Sequence, residues 1–502
     1  MKKDTKAVRE SGILLPIASL PGKYGIGTFG KAAYDFVDML AEAGQRYWQI
    51  LPLGPTSYGD SPYQSFSTFA GNPYFIDPDL LIEEGLLTRK EADAYDFGKK
   101  ADQIDYLKLY NSRFKMLKKA FKRFDASGDR GYRSFKRRNS FWLDDYALYM
   151  AIKNHFGGKS YISWAEDIRR RDKKALDIYS AKYGEDVEFY CFLQYEFLKQ
   201  WSGLKKYANK KGIKIIGDIP IYVAFDSADT WAGPQLFQFD EKGYPVAVAG
   251  CPPDAFSATG QLWGNPLYDW DYHKKTGYKW WIRRIKHCFL LYDVLRVDHF
   301  RAFDEYYSIP YGDETAEFGK WVKGPGYDLF AAIKKELGDL DIIAEDLGYI
   351  TESVIRLVKR CGYPGMKILQ FAFDSREDSD YLPHNYTANS VCYTGTHDND
   401  TLVGWFPALK PADRKMALSY LNRDGFKNDR DLAASFVKLA ESSVSRLCII
   451  PMQDHLALDA RARINYPSTL GGNWVWRMKE GAFSHALAKR IKEMTKLYGR
   501  LT

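Results

Sequence analysis

Nowhere in the 502 residues is there an uninterrupted apolar run of about 18, the length a membrane-spanning helix needs. The opening Met-Lys-Lys-Asp-Thr-Lys-Ala-Val-Arg-Glu has no apolar core of the kind a secretory leader carries, so a cytoplasmic protein is expected. The six cysteines, at 191, 251, 288, 361, 392 and 448, form no Cys-x-x-Cys pair. Several lie within apolar runs, which points to free buried thiols in a reducing compartment rather than a disulfide framework. The eight histidines contain no His-Glu-x-x-His, and the acids show no EF-hand spacing, so no metal is expected. Gly22-Lys-Tyr-Gly-Ile-Gly27 lacks Walker spacing and precedes any clear strand, which leaves no phosphate-binding loop and no expected cofactor. A coherent basic face is missing too. The net charge of +8 is dispersed, and its longest stretch, Lys115 to Arg123, alternates with Leu117, Ala120 and Phe121 at helical spacing, as a solvated helix face does; nucleic acid is not an expected partner.

What is present is an ordinary globular composition, 45% hydrophobic and 27% charged, with an aromatic share of 16%. Planar rings stack on the apolar faces of sugars, although large cores use them as well. The length fits one α/β barrel with insertions better than a string of modules. Eight short runs bounded by turn residues read as buried strands: 47–51, 73–76, 213–218, 294–297, 342–345, 366–371, 391–394 and 447–451. Helical segments separate most of them, such as Lys31–Ala43 closed by Gly44. The pattern predicts a (β/α)8 TIM barrel, formed by residues 1–76 and 202–502, with a mostly helical insertion over 77–201.

Three of these runs deliver acids where a strand would end: Arg296-Val-Asp-His-Phe-Arg301, Ala344-Glu-Asp-Leu-Gly348 and Thr396-His-Asp-Asn-Asp400. Any one of them is adequately explained as a helix cap or turn. Three in series at the C-terminal rim of a barrel, where chemistry sits in this architecture, point to glycosidic-bond cleavage. That reaction needs one carboxyl to protonate the leaving oxygen and one carboxylate to attack or screen an oxocarbenium-like centre. Arg296 and Asp298 are two residues apart and so share the inward face, where the arginine requires an anion and would keep a carboxylate ionised.

These segments, together with Gly59-Asp-Ser-Pro-Tyr-Gln-Ser-Phe-Ser67, Ala70-Gly-Asn-Pro73, Gly217-Asp-Ile-Pro-Ile-Tyr-Val223, Pro252-Pro-Asp-Ala-Phe-Ser257, Gly260-Gln-Leu-Trp-Gly-Asn-Pro-Leu267 and Gly471-Gly-Asn-Trp-Val-Trp-Arg477, resemble the amylomaltases, the 4-α-glucanotransferases of the α-amylase clan. The resemblance runs from about Gly12 to Arg477. It implies Asp298 as nucleophile, Glu345 as general acid/base and Asp398 as transition-state stabiliser, with Ser61, Tyr63, Asp218, Phe256, Trp263, Arg296, His397 and Asn473 in contact with substrate. It also implies maltooligosaccharides and α-1,4-glucans as substrates, glucose or maltose as acceptor, and a retaining double displacement without a cofactor. One departure stands out: Leu458-Asp-Ala-Arg-Ala-Arg463 puts Arg461 where members of the family carry a glutamate, which bears on the acceptor side. The competing readings are an α-glucan hydrolase of the same clan and a catalytically dead carbohydrate-binding scaffold.

Overall fold

The computed structural model describes residues 8–57, 59–253, 257–348 and 350–501. Its strands, in chain order, are β1 (Glu10–Leu14), β2 (Tyr47–Gln49), β3 (Lys214–Ile219), β4 (Ala247–Cys251), β5 (Gln261–Pro266), β6 (Val294–Val297), β7 (Glu305–Pro310), β8 (Lys320–Lys323), β9 (Ile342–Ala344), β10 (Gly365–Ile368), β11 (Ser390–Tyr393) and β12 (Leu447–Pro451). Strands β1, β2, β3, β6, β9, β10, β11 and β12 close into an eight-stranded parallel barrel, with β1 paired to both β2 and β12. Neighbours in the barrel are neighbours in sequence, as right-handed βαβ crossovers require. Helices cover the outside, so β6, β11 and β12 are buried along their whole length and read as apolar runs rather than alternating ones.

One expected strand is wrong and one was missed. Residues 73–76 form a 3-10 turn, Pro73–Phe75, capped by the Asn72 side chain, which accepts from Tyr74 N. Pro73 has no N–H to give a ladder and suits the first turn of a helix. The eighth strand is instead β1, between β2 and β12, whose Gly12 lies so close to β2 that a Cβ there would sit 2.5 Å from the Tyr47 carbonyl oxygen. Ahead of the expected strand 294–297, Cys288 to Leu291 end the helix Lys279–Leu291, and the strand starts at Val294.

Between β2 and β3 the chain forms a series of helices, from Pro78–Glu83 to Gly184–Lys210. The last continues past residue 201, and its Trp201 indole donates to the Leu291 carbonyl at 3.0 Å beside the barrel. We therefore propose that the insertion ends inside this helix and that its C-terminal turns belong to the barrel's outer layer. A second extension is a β structure: β4, β5, β7 and β8 make an antiparallel sheet in the order β5-β4-β7-β8, held above the strand ends between β3 and β9. Among the described residues no helix is long and apolar enough to cross a membrane, and all six cysteines are free.

Candidate active site

The floor of the site follows from strand register. Asp218 on β3 lies directly beside Arg296 on β6, and both side chains point into the barrel. The Arg296 guanidinium donates to both Asp218 oxygens at 2.8 and 2.7 Å and pairs with Asp298 Oδ1 at 2.9 Å. Asp218 also accepts from the Tyr63 hydroxyl at 2.8 Å. Glycine at 217 is needed for this fit, since a Cβ there would lie 2.1 Å from the Tyr292 ring. The Asp298 backbone extends the ladder, its N–H donating to the Ile219 carbonyl at 2.9 Å, so the carboxylate leaves a rigid strand end and faces the cleft.

Immediately after it, His299 adopts a left-handed conformation with φ 51°. That turn aims its N–H at Glu345 Oε2, 2.6 Å away, while Leu347 N–H donates to Oε1 at 2.9 Å. Both Glu345 oxygens are thereby fixed. Burial and the nearby Asp298 charge nevertheless push the Glu345 carboxyl up to about 8, against the pull of Arg296 and the two N–H groups. Burial raises Asp298 as well, but Arg296 opposes it and holds it to about 6. The arginine therefore moderates a rise rather than producing a depressed value, and it leaves Asp298 the more acidic carboxyl of the pair. The neighbouring acids are engaged elsewhere: Asp304 accepts from the Ser353 hydroxyl at 2.6 Å, and Asp346 from Met366 N–H at 2.7 Å.

The third acid, Asp398, follows β11. Its Oδ2 lies 3.2 Å from His397 Nε2, and its Oδ1 accepts from Asn465 Nδ2 at 2.6 Å. Burial would raise this carboxyl, but His397 and Asn465 hold it at about 2, a permanent negative charge. The Tyr63 ring stacks on His397 at 5.0 Å, and Trp474 closes over both at 5.9 Å from each. Trp474 has φ 63°, a costly conformation for a bulky residue, held by its N–H to the Ile464 carbonyl at 2.7 Å and by its carbonyl accepting from Tyr106 Oη at 3.0 Å.

The structure thus gathers Asp298, Glu345, Asp398, Asp218, Arg296, His397 and Tyr63 around one opening. Trp263, on β5, borders it through an edge contact of 4.8 Å with His299. Ser61 Oγ is occupied in a local turn, accepting from Tyr63 N–H at 3.3 Å. Asn473 spends its amide on its own loop, accepting from Tyr466 N–H at 2.9 Å and donating to Thr469, and thereby shapes the turn that presents Trp474. Phe256 lies outside the described residues. Arg461 is solvent-exposed and paired with Asp459 at 2.7 Å. Sequence reasoning missed Asn465 and also Gln49, whose Oε1 accepts from the Tyr393 hydroxyl at 2.9 Å. Gln49 lies inside the run 47–51 and Asn465 in a loop after Arg463-Ile464, and neither carries a sequence signal of its own. Among the described residues no group of three or more His, Cys, Asp or Glu side chains is placed to hold a metal ion.

The family model described as 4-alpha-glucanotransferase, of glycoside hydrolase family 77, matches residues 15–483. The 4-alpha-glucanotransferases of Clostridium butyricum and Streptococcus pneumoniae are each 51% identical to this chain; the first alignment covers 96% of this chain and 99% of the relative, the second 98% of both. A solved structure of amylomaltase from Streptococcus agalactiae, in complex with acarbose, is 46% identical with a TM-score of 0.95, over 98% of this chain and 99% of that one.

Proposed function

The chain belongs to glycoside hydrolase family 77 and is a 4-α-glucanotransferase, and from that premise we propose how its residues carry out the transfer. Asp298 attacks the anomeric carbon of the donor glucan; the C1–O4 bond breaks as Glu345 gives its proton to the departing oxygen. An acceptor sugar then enters, its 4-hydroxyl loses a proton to Glu345 and attacks C1, and the bond to Asp298 breaks. Two inversions give retention, and the glycosidic bond energy is conserved in the covalent intermediate. Asp398 and His397 face the same ring, where a fixed negative charge stabilises the oxocarbenium-like transition state. The observation that carries these assignments is geometric: the Asp298 carboxylate leaves its strand end paired with the Arg296 guanidinium at 2.9 Å, while the Glu345 carboxyl beside it is fixed by the backbone N–H groups of His299 and Leu347 and is pushed upward by burial and the Asp298 charge.

Maltooligosaccharides are the donors in this proposal, with glucose or maltose as acceptor. Incubation with pure maltotriose is therefore expected to yield glucose and a ladder of longer and shorter oligomers at nearly constant total reducing ends. A steady rise in reducing ends would mean that water, not sugar, intercepts the intermediate. With six free cysteines, a reducing cytoplasm is the compartment that suits the chain.

The pH dependence follows from the same pair. The profile of kcat/KM should be bell-shaped, falling below about 6 as Asp298 takes up a proton and above about 8 as Glu345 loses its own. The two limbs belong to the pair as a whole. Glu345→Gln should abolish the alkaline limb, whereas a profile with both limbs intact in that variant would remove Glu345 from the acid role.

A further inference from the structure

Asp398 is a catalytic carboxylate in the proposed mechanism, and its geometry depends on a residue 67 positions away in sequence: Asn465, whose Nδ2 lies 2.6 Å from Asp398 Oδ1. We propose that Asn465 is a positioning residue, which fixes the plane of the Asp398 carboxylate and makes its service to the transition state conditional on the seating of the 463–474 loop. The inference rests on the reading of Asp398 given above.

Three observations converge on it. The first is satisfaction: Oδ2 is engaged by His397 Nε2 at 3.2 Å and Oδ1 by Asn465, so the carboxylate has one side-chain donor on each oxygen and little freedom about its last torsion. The second is the way the amide itself is held. Asn465 N–H donates to the His397 carbonyl at 3.1 Å, and Arg463 bridges the Asp398 and Asn465 carbonyls at 2.6 and 2.7 Å while its guanidinium lies over the Tyr466 ring at 4.2 Å. The loop is thus joined to the His397–Asp398 backbone as well as to the side chain. The third is continuity with the aromatic cover of the site. From Asn465 the chain runs through a turn closed by Asn473 to Trp474, whose N–H returns to Ile464 and whose ring lies beside His397 and Tyr63. Loop closure and carboxylate orientation are one hydrogen-bonded unit.

Charge gives the inference a signature that mere support of the fold lacks. The groups facing Asp398 are His397, Arg463 at its carbonyl, and Arg296, Asp298 and Tyr63 across the floor of the site. Asn465 is the neutral donor among them. Asn465→Asp keeps the shape but sets a second carboxyl against Asp398; the pair then shares one proton, and only the singly protonated pair restores the donor. Asn465→Ala removes the donor without adding charge.

Both variants should be assayed over pH 4.5–9.5 with maltotriose, alongside Asp398→Asn. Asn465→Ala is expected to lose about 10- to 100-fold in kcat, the worth of a hydrogen bond to a charged group, with KM within about threefold and both pH limbs in place. Asn465→Asp, which is near-isosteric and so keeps the test open if alanine loosens the loop, is expected to regain activity at acid pH. Its optimum should move down by about one pH unit or more as loss of the shared proton sets a new alkaline limb. If Asn465→Asp only scales the wild-type profile, or if KM rises while kcat holds, the positioning role is overturned. Should Asp398→Asn keep wild-type kcat, the failure lies in the assignment of Asp398 instead.

Discussion

Arg296→Met is expected to lower kcat/KM by at least about 1000-fold, because this one side chain neutralises two carboxylates at the bottom of the cleft. Methionine keeps much of the volume and removes the charge. Asp298, already raised to about 6 by burial with the guanidinium present, loses its main restraint and is expected to titrate higher. At neutral pH more of Asp298 would be protonated, and the acid limb of the profile should move toward higher pH. Asp218, with no accessible surface, would keep only Tyr63 as partner. Stranding one member of a buried ion pair costs about 3–5 kcal/mol, so the thermal midpoint should fall. Arg296→Lys should fall between the two, since a lysine keeps the charge but cannot donate to two carboxylates in a fixed fork. Wild-type pH limbs in Arg296→Met would show that Asp298 does not depend on this pair.

Glu345→Gln is expected to separate the two half-reactions. With maltotriose, where the leaving sugar oxygen needs a proton, the loss should reach about 1000- to 10,000-fold, the upper range for a general acid. α-Glucosyl fluoride needs no such help, so its fluoride-release burst should be reduced by less than about tenfold. The second half-reaction would still stall, for no base remains to deprotonate an acceptor sugar. Azide needs none: added azide should restore turnover and yield the α-glucosyl azide, the product of two inversions. A β-azide would mean a single displacement and would overturn the retaining assignment.

The barrel was legible because its strands are buried on both faces, which turns each into a short apolar run with turn residues at its ends. The misread strand shows the limit of that signal. Pro73-Tyr-Phe-Ile76 is as apolar as a strand, but Asn72 and Pro73 together start a 3-10 turn. β1, by contrast, carries Ser11 and Gly12, the glycine being required by the close approach of β2. The sheet of β4, β5, β7 and β8 was not foreseen either, since its edge strand Lys320–Lys323 and its half-exposed β5 lack a continuous apolar run.

Of the polar floor of the site, only the Arg296–Asp298 half followed from period-two alternation, which put the two on one face. Register with Asp218 was beyond reach, because it is fixed by pairing between strands nearly eighty residues apart in sequence. The upward shift of Asp298 came from burial that a sequence does not display. Asn465 and Asn473 lie in one loop, yet one amide reaches the Asp398 carboxylate and the other only its own turn. Composition gives two asparagines; the left-handed backbone at Trp474 and the return of the chain to Ile464 decide which faces the chemistry.

The central claim is that Asp298 carries the sugar while Glu345 moves the proton, and it is tested most directly by trapping the intermediate. Glu345→Gln incubated with α-glucosyl fluoride, quenched in acid and digested, should give one peptide heavier by a single glucosyl group, containing Asp298, and Asp298→Asn should give none. A glucosyl group on Asp304, Asp346 or Asp398, or no adduct in spite of rapid fluoride release, would contradict it.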